Sequence, residues 1–480
     1  MSLKCVLVNP VELVHPPFGL MYIASVLERQ GHAVSIRELP SPHVANYRNA
    51  AQGLVAYLRK EDPDIVGITC MASQCGEVRS LIGAMRDPGG IRASIIVGGV
   101  HPSFMPDEVM GWGCDYVVLN EGEETIVELT EAIQGKISIC AVKGIYYRDT
   151  GGVRTTGSRL PIRDIDTIPF PAYHLIDQRR FTERKGEVRG LWLRSGWIIT
   201  SRGCPSSCTF CSAHRMFGKQ MRFRSLDTVF EEIRMLVVRF GIQAFAIVDD
   251  TFTVNRERVF EFSRRIRREF PGLIWNCQAR VNFFSEEMAR VLKESNCVQV
   301  DFGVESGSQR VLDRLRKGIT IEDTIRSFQA CRKVGLRTLA TVMVGNPDEE
   351  LEDLKKTGEL LRKIRPDFSA AYFATPFPGT EMYEDAKRKG LIAGDECGWN
   401  QFVAAIELSK ISKKDLESAL KDFTNLSIFK SYIYNPLFLF DMFRFGVLNP
   451  GISLRVFSNV LKGDTEKAFF LLTNSSYCKR

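Results

Sequence analysis

The sequence predicts an α/β protein: a doubly wound parallel sheet, then a partial (β/α)6 barrel, then a mainly α C-terminal region. Three observations predict it. Short β-type runs alternate with helix-period stretches from residue 3 to about 134. The same alternation restarts near residue 195 and continues to about 394. A hairpin-like, proline-marked stretch lies between the two series, and the chain turns aromatic-rich beyond about 395.

In the first series, Val6-Leu7-Val8 reads as a strand. Leu20–Leu27 has helical spacing and runs to Gly31, a natural stop. Ala33–Ile36 is the next strand, and a helix is expected over about 47–60. Asp64–Thr69 is apolar on both faces, as a buried parallel strand should be. A helix over about 74–86, strands at Ser94–Val97 and Tyr116–Val118, and a helix over Glu123–Ile133 complete the series. Ligands of such sheets sit beyond the carboxyl ends of the strands. Those ends carry Thr69-Cys70-Met71-Ala72-Ser73-Gln74, Gly98-Gly99-Val100-His101 and Asn120-Glu121-Gly122-Glu123. Paired glycines allow a backbone to approach a bulky ligand. A plain tight turn at Gly98-Gly99, with His101 capping a helix, is the alternative. No GxGxxG follows the first strand, so a dinucleotide is not the expected ligand.

Ile145–Arg148 and Val153–Thr156, joined by Asp149-Thr150-Gly151-Gly152, read as a β-hairpin. Ile168-Pro169-Phe170-Pro171 then reads as a stiffened bridge. The second series places strands at about 197–200, 244–248, 274–277, 298–303, 338–344 and 369–374. Its helices fall at about 226–240, 255–269, 285–295, 308–314, 321–334 and 350–363. The domains expected are 1–140, a 141–194 linker with the hairpin, the 195–394 barrel, and a 395–480 helical region.

Composition excludes several classes. Hydrophobic residues make up 44% and charged residues 25%, which removes disordered and low-complexity chains. No apolar run approaches the roughly 18 residues of a membrane span, and the N-terminus lacks the pattern of a signal peptide. A net charge of +7 over 480 residues does not argue for nucleic acid. Among 13 cysteines, ten are scattered and three are tightly clustered, as expected of free thiols in a reducing cytoplasm plus one metal-binding loop.

That loop is Arg202-Gly203-Cys204-Pro205-Ser206-Ser207-Cys208-Thr209-Phe210-Cys211, a C-x3-C-x2-C spacing. Three thiolates grip one face of a [4Fe–4S] cubane and leave the fourth iron open to a ligand. Zinc is the alternative, with His214 as fourth ligand of a closed site.

The loop resembles that of the radical S-adenosylmethionine (SAM) enzymes, and the resemblance spans about residues 195–392. It implies a [4Fe–4S] cluster on Cys204, Cys208 and Cys211, with SAM chelated by the open iron and Phe210 near the adenine. Val304-Glu305-Ser306-Gly307-Ser308 resembles the ribose-contacting motif, which implies Glu305 and Ser306 as contacts. Asp249 and Asp250 stand where the family carries Gly-Gly-Glu, a departure at the contact to the SAM amino group. Arg280 is expected at the SAM carboxylate, and Val344 lies in a stretch resembling the fifth-strand motif. Thr375-Pro376-Phe377-Pro378-Gly379-Thr380 resembles the sixth-strand end. Each also has a structural reading: Asp249 and Asp250 as helix caps, Glu305 as a surface strand end, Arg280 as an ion-pair partner.

Residues 1–150 resemble the Rossmann-like cobalamin-binding domain of one large radical SAM subclass, through Pro17–Leu20, Gly98–Pro102 and Glu121–Thr125. The resemblance implies cobalamin held by Phe18, Gly19, Leu20, Thr69, Cys70, Ser73, Gly98, Gly99, His101, Glu121 and Gly122. The Asp-x-His-x-x-Gly motif that ligates cobalt in other cobalamin domains is absent. Cobalt without a protein His ligand is therefore expected, its lower face covered by the 70–75 loop; Cys70 or Met71 as axial ligand is the other reading.

The function implied is reductive cleavage of SAM to methionine and a 5′-deoxyadenosyl radical, with methylation of an unactivated carbon. The alternatives are a cobalamin-using cyclase or oxidoreductase, and an RNA-modifying methylthiotransferase with a second cluster on Cys5, Cys70 and Cys75 or Cys114. The partners expected are a small-molecule or lipid-like substrate and a flavodoxin- or ferredoxin-type electron donor, with no nucleic acid. A cytoplasmic monomer is expected, in peripheral membrane contact if the aromatic stretch 428–448 forms an interfacial cover over the substrate entrance.

Overall fold

The computed structural model describes residues 2–434 except 13–14, 43–45, 186–192, 393–398 and 405, with side chains through 424. Five parallel strands form the first sheet: β1 (Lys4–Asn9), β2 (Ala33–Glu38), β3 (Ile65–Thr69), β4 (Ser94–Gly98) and β5 (Tyr116–Val118). The hairpin, β6 (Ile145–Asp149) and β7 (Gly152–Thr155), continues the same sheet in the order β2-β1-β3-β4-β5-β6-β7. β6 pairs antiparallel to β5, with Tyr147 opposite Tyr116. The hairpin read as part of the connector thus lies on the sheet edge.

Strand alternation sends side chains to two separate cores. Cys5, Leu7, Ile65, Ile96 and Val118 face one side. Val6, Val8, Val66, Ile68, Ile95, Val97 and Val117 face the other, with Cys70, Cys75 and Cys114. Cys5 is therefore walled off from the other three cysteines, and they do not assemble a second cluster.

The connector is a packed element. Ile162, Ile165, Ile168, Tyr173, Ile176 and Phe181 are buried in a core continuous from Leu7 in the sheet to Trp197 and Phe230 in the barrel. The prolines fix the extended backbone that lets those side chains reach inward.

The barrel begins with an antiparallel edge, β8 (Arg184–Lys185) against β9 (Leu193–Ile198). A two-residue ribbon, β10 (Ser201–Arg202) with β11 (Arg222–Phe223), closes the base of the cysteine loop. β12 (Ala244–Ile247), β13 (Ile274–Ala279), β14 (Cys297–Glu305), β15 (Arg337–Val344) and β16 (Phe368–Phe373) follow, each with a helix behind it. The order β16-β15-β14-β13-β12-β9-β8 leaves the barrel open. The helix Lys413–Tyr434 covers the β16 edge: Phe423 is buried there and Thr424 Oγ1 accepts the Ala371 N–H at 3.4 Å. The aromatic stretch 428–448 falls outside the residues whose side chains are described. Among the described residues no helix is long and apolar enough to cross a membrane.

Candidate active site

Loops at the carboxyl ends of the two sheets meet. Glu121, after β5, is buried between two arginines of the cysteine loop's base. Its Oε1 accepts from Arg202 Nη1 at 3.0 Å, and its Oε2 from Arg222 Nη1 at 2.7 Å and the Ile162 N–H at 2.8 Å. Burial pushes this carboxyl up, but Arg222 and Arg202 outweigh it and hold the pKa below its ordinary value. Arg202 also donates to Glu123 and lies over the Tyr22 ring at 5.3 Å. A second contact joins the β16 loop to the β4 loop, where Gly379 lies against the Phe104 ring.

The cysteine loop is pinned from three sides. The Cys204 N–H bonds Gly218 O at 3.2 Å, the Thr209 N–H bonds Leu315 O at 2.9 Å, and Thr209 O accepts from Met382 N at 2.9 Å. Cys204 and Cys208 are buried and Cys211 half-buried. Burial pushes the Cys211 thiol up to about 11, so its thiolate needs a nearby positive charge, which cluster irons supply. Arg280 Nη1 stands 3.5 Å from Cys208 Sγ, a cation beside a sulfur. Among the described residues no three Cys, His, Asp or Glu converge on a single metal ion. That departs from a closed zinc site with His214; in a cubane each cysteine binds a different iron.

Around this loop the structure separates the expected SAM residues. Asp249 is fully buried and accepts from Thr200 N at 2.6 Å, Thr200 Oγ1 at 2.6 Å and Ser201 Oγ at 2.7 Å, fixing the backbone that leads into the loop. It caps no helix; Asn255 caps the helix Arg256–Glu269. Asp250 is exposed at the β12 end and close enough to Cys211 to raise its thiol. Local desolvation, with Asp249 adding to it, raises the Asp250 carboxyl to about 6. Arg280 is committed to Cys208 and to the Lys317 carbonyl rather than to a carboxylate. Glu305 is buried and paired with Lys317 at 2.6 Å. Ser306 is buried and its Oγ accepts from the Ser308 N–H at 3.2 Å. Phe210 packs beside Val311, Leu315 and Met382. Val344 is a buried strand residue ahead of the Gly345-Asn346-Pro347 turn of the same stretch. In that turn Glu349 accepts the Gly345 and Asn346 N–H groups at 2.7 and 3.0 Å, and burial raises it to about 7.

At the first sheet, Phe18, Gly19, Thr69, Ser73, Gly98, Gly99 and Gly122 keep some exposure along the strand ends. Leu20, Cys70, His101 and Glu121 are buried behind that rim. Leu20 is in the core. Cys70 Sγ lies 4.0 Å from Cys75 Sγ in the opposite core, which argues against it as an axial ligand. His101 is 2% exposed and stacked on Trp112, with Glu108 Oε2 at 3.4 Å from Nε2. It sits inside the helix Val100–Phe104 and does not cap it. Gly99 has φ +113, and a Cβ there would lie 2.8 Å from Cys70 O, so this glycine serves the packing of the β3 loop on the β4 loop.

Family models match in the same two places. The radical SAM superfamily model covers residues 198–361 and the B12 binding domain model residues 4–130. An uncharacterized methyltransferase of Pyrococcus horikoshii is 33% identical over 398 residues, covering 82% of this chain and 83% of that one. The chain belongs to the cobalamin-dependent radical SAM methyltransferase family. Cytidylyl-2-hydroxyethylphosphonate methyltransferase of Streptomyces wedmorensis is 28% identical over 426 residues, 79% of each chain. The radical SAM methyltransferase TsrM of Kitasatospora setae, solved with cobalamin and a [4Fe–4S] cluster, shares the fold at TM-score 0.70 and 20% identity, over 89% of each chain. The cofactors of this enzyme are a [4Fe–4S] cluster, SAM and cobalamin.

Proposed function

We propose that this enzyme methylates an unactivated carbon of a small molecule, with a division of labour between residues 1–140 and 195–394. The observation that carries the reading is the ionic lock of Glu121 between Arg202 and Arg222, which joins the strand-end loops of the sheet to the base of the cysteine loop. When bound, the three cofactors supply reductive SAM cleavage and a transferable methyl group; the protein supplies position and exclusion of water.

Cys204, Cys208 and Cys211 hold the cluster. Asp250 receives the SAM ammonium, which its open carboxylate favours as an opposite charge. Phe210 and Glu305 receive the adenine and ribose. The sheet rim from Thr69 to Gly122 takes cobalamin with no histidine on cobalt, since His101 is held beneath Trp112. An external flavodoxin- or ferredoxin-type donor supplies electrons to a monomer. A lipid-like substrate and peripheral membrane contact belong to the same reading and rest on the aromatic density of the tail.

Anaerobic reconstitution tests the whole. One cobalamin and about four irons per chain are expected, with 5′-deoxyadenosine or S-adenosylhomocysteine released from SAM under a strong reductant. A chain that takes up iron but no cobalamin from an excess removes the methylation reading. Asp250→Asn is expected to weaken SAM binding about tenfold in equilibrium dialysis, as the loss of one charge-assisted hydrogen bond; unchanged affinity removes Asp250 from the site.

A further inference from the structure

The end of β14 is built around a lysine that the radical SAM resemblance does not assign. Glu305 has φ +63, and the pairing of β14 with β15 shifts register between Gly303 and Glu305. Non-glycine residues hold such a backbone where the surroundings enforce it, and functional sites are where this is found. Here Glu305 Oε1 lies 2.6 Å from Lys317 Nζ, with both side chains nearly buried. The pair lies directly over Gly303. A Cβ on Gly303 would stand 2.4 Å from Glu305 Oε1 and 2.7 Å from Lys317 Nζ, so a side chain there would push the ends of the pair aside.

The same lysine reaches the cysteine loop. Its ammonium is 5.6 Å from the centre of the Phe210 ring. Its carbonyl accepts from Arg280 Nη2, while Arg280 Nη1 stands 3.5 Å from Cys208 Sγ. Two residues earlier in the turn, Leu315 O accepts the Thr209 N–H at 2.9 Å. One turn, Leu315–Gly318, therefore touches the fourth-strand carboxylate, the aromatic before the third cysteine, and the arginine against the second.

We propose that Lys317 is a positioning residue for the adenosyl end of SAM. Its ammonium holds one oxygen of Glu305 over Gly303, which presents the other to the ribose hydroxyls. Its backbone carbonyl holds Arg280 against Cys208, so the nucleoside subsite and the cluster loop are set in register by one residue. The inference rests on the SAM-binding reading above and refines it.

Lys317→Met keeps the length and apolar stem and removes the charge. The holoenzyme variant is expected to fold and keep its iron content, with a lowered melting temperature because a buried pair is broken from one side. Its SAM affinity should fall about tenfold or more, because Glu305 is left buried and unpaired. The change that SAM causes in the electron paramagnetic resonance signal of the reduced cluster should then require correspondingly more SAM. Lys317→Arg, which restores the charge, should recover part of the affinity. SAM binding by Lys317→Met within twofold of wild type overturns the proposal. If Lys317→Met loses its iron or fails to fold, Gly303→Ala decides: both charges remain but the pair is displaced, and the same loss of SAM affinity is expected. Wild-type affinity in Gly303→Ala overturns the proposal too. A wild type that binds no SAM overturns the underlying reading, which separates that failure from this one.

Discussion

Cys208→Ala is expected to cost the enzyme its cluster and to reduce SAM cleavage by at least about a thousandfold. Cys208 is buried, its loop is fastened by hydrogen bonds from both sides, and Arg280 is aimed at its sulfur. Removing that thiol leaves two cysteines, which cannot retain a cubane whose fourth iron is already open. It also leaves the Arg280 guanidinium in a buried place without its sulfur. The measurement is iron and sulfide per chain, the cluster's visible absorbance, and 5′-deoxyadenosine formed under reductant. Cys140→Ala is the control: this exposed thiol lies 3.4 Å from the Tyr147 hydroxyl, away from the cysteine loop in sequence, and should leave the iron count unchanged. Full iron content and cleavage in Cys208→Ala would remove the assignment of the loop.

Much of the fold was legible because its signals are local. Period-two and period-3.6 patterns each report a buried face within a few residues, so the helices Leu226–Phe240 and Ile321–Val334 and the strand Tyr116–Val118 fall where the pattern predicts them. The hairpin shows the limit. Its turn chemistry marks two antiparallel strands, but nothing in that stretch says that Tyr147 pairs with Tyr116. The connector shows another: its prolines suggest a bridge, while the burial of Ile165, Tyr173 and Phe181 depends on surfaces brought up by both neighbours.

Site residues divide in the same way. The three cysteines are readable because their ligand spacing is local. Asp249 and Asp250 look alike in sequence, yet one is consumed by Thr200 and Ser201 and the other is left open beside Cys211. Lys317 carries no motif of its own, and only the fold brings it to Glu305 and over Gly303. Glu121 sits in a stretch that suggests cobalamin, but its partners lie 81 and 101 residues away. Pairings of that kind leave no periodic trace.

Glu121→Ala is therefore expected to act on the junction of the two sheets. The substitution leaves Arg222 without its carboxylate and the Ile162 N–H without its acceptor, both buried. Breaking a buried pair from one side costs about 3–5 kcal/mol. Arg222 keeps the Ile162 and Phe217 carbonyls, at 2.6 and 2.8 Å, and Arg202 keeps Glu123, so the lower end of that range applies. For a chain of this size the melting midpoint should fall by roughly 3 °C at neutral pH. The pH dependence fixes the sign. Because the folded carboxyl titrates below its ordinary value of 4.5, its contribution is complete above that value and is lost as pH falls through the folded pKa. The gap between wild type and Glu121→Ala should thus be constant near neutrality and close in acid. Cobalamin occupancy should fall with the junction, because the β5 loop loses its anchor to the barrel. A variant that melts with the wild type at pH 7, or a gap that widens in acid, would show that the two sheets are held together by their shared apolar core alone.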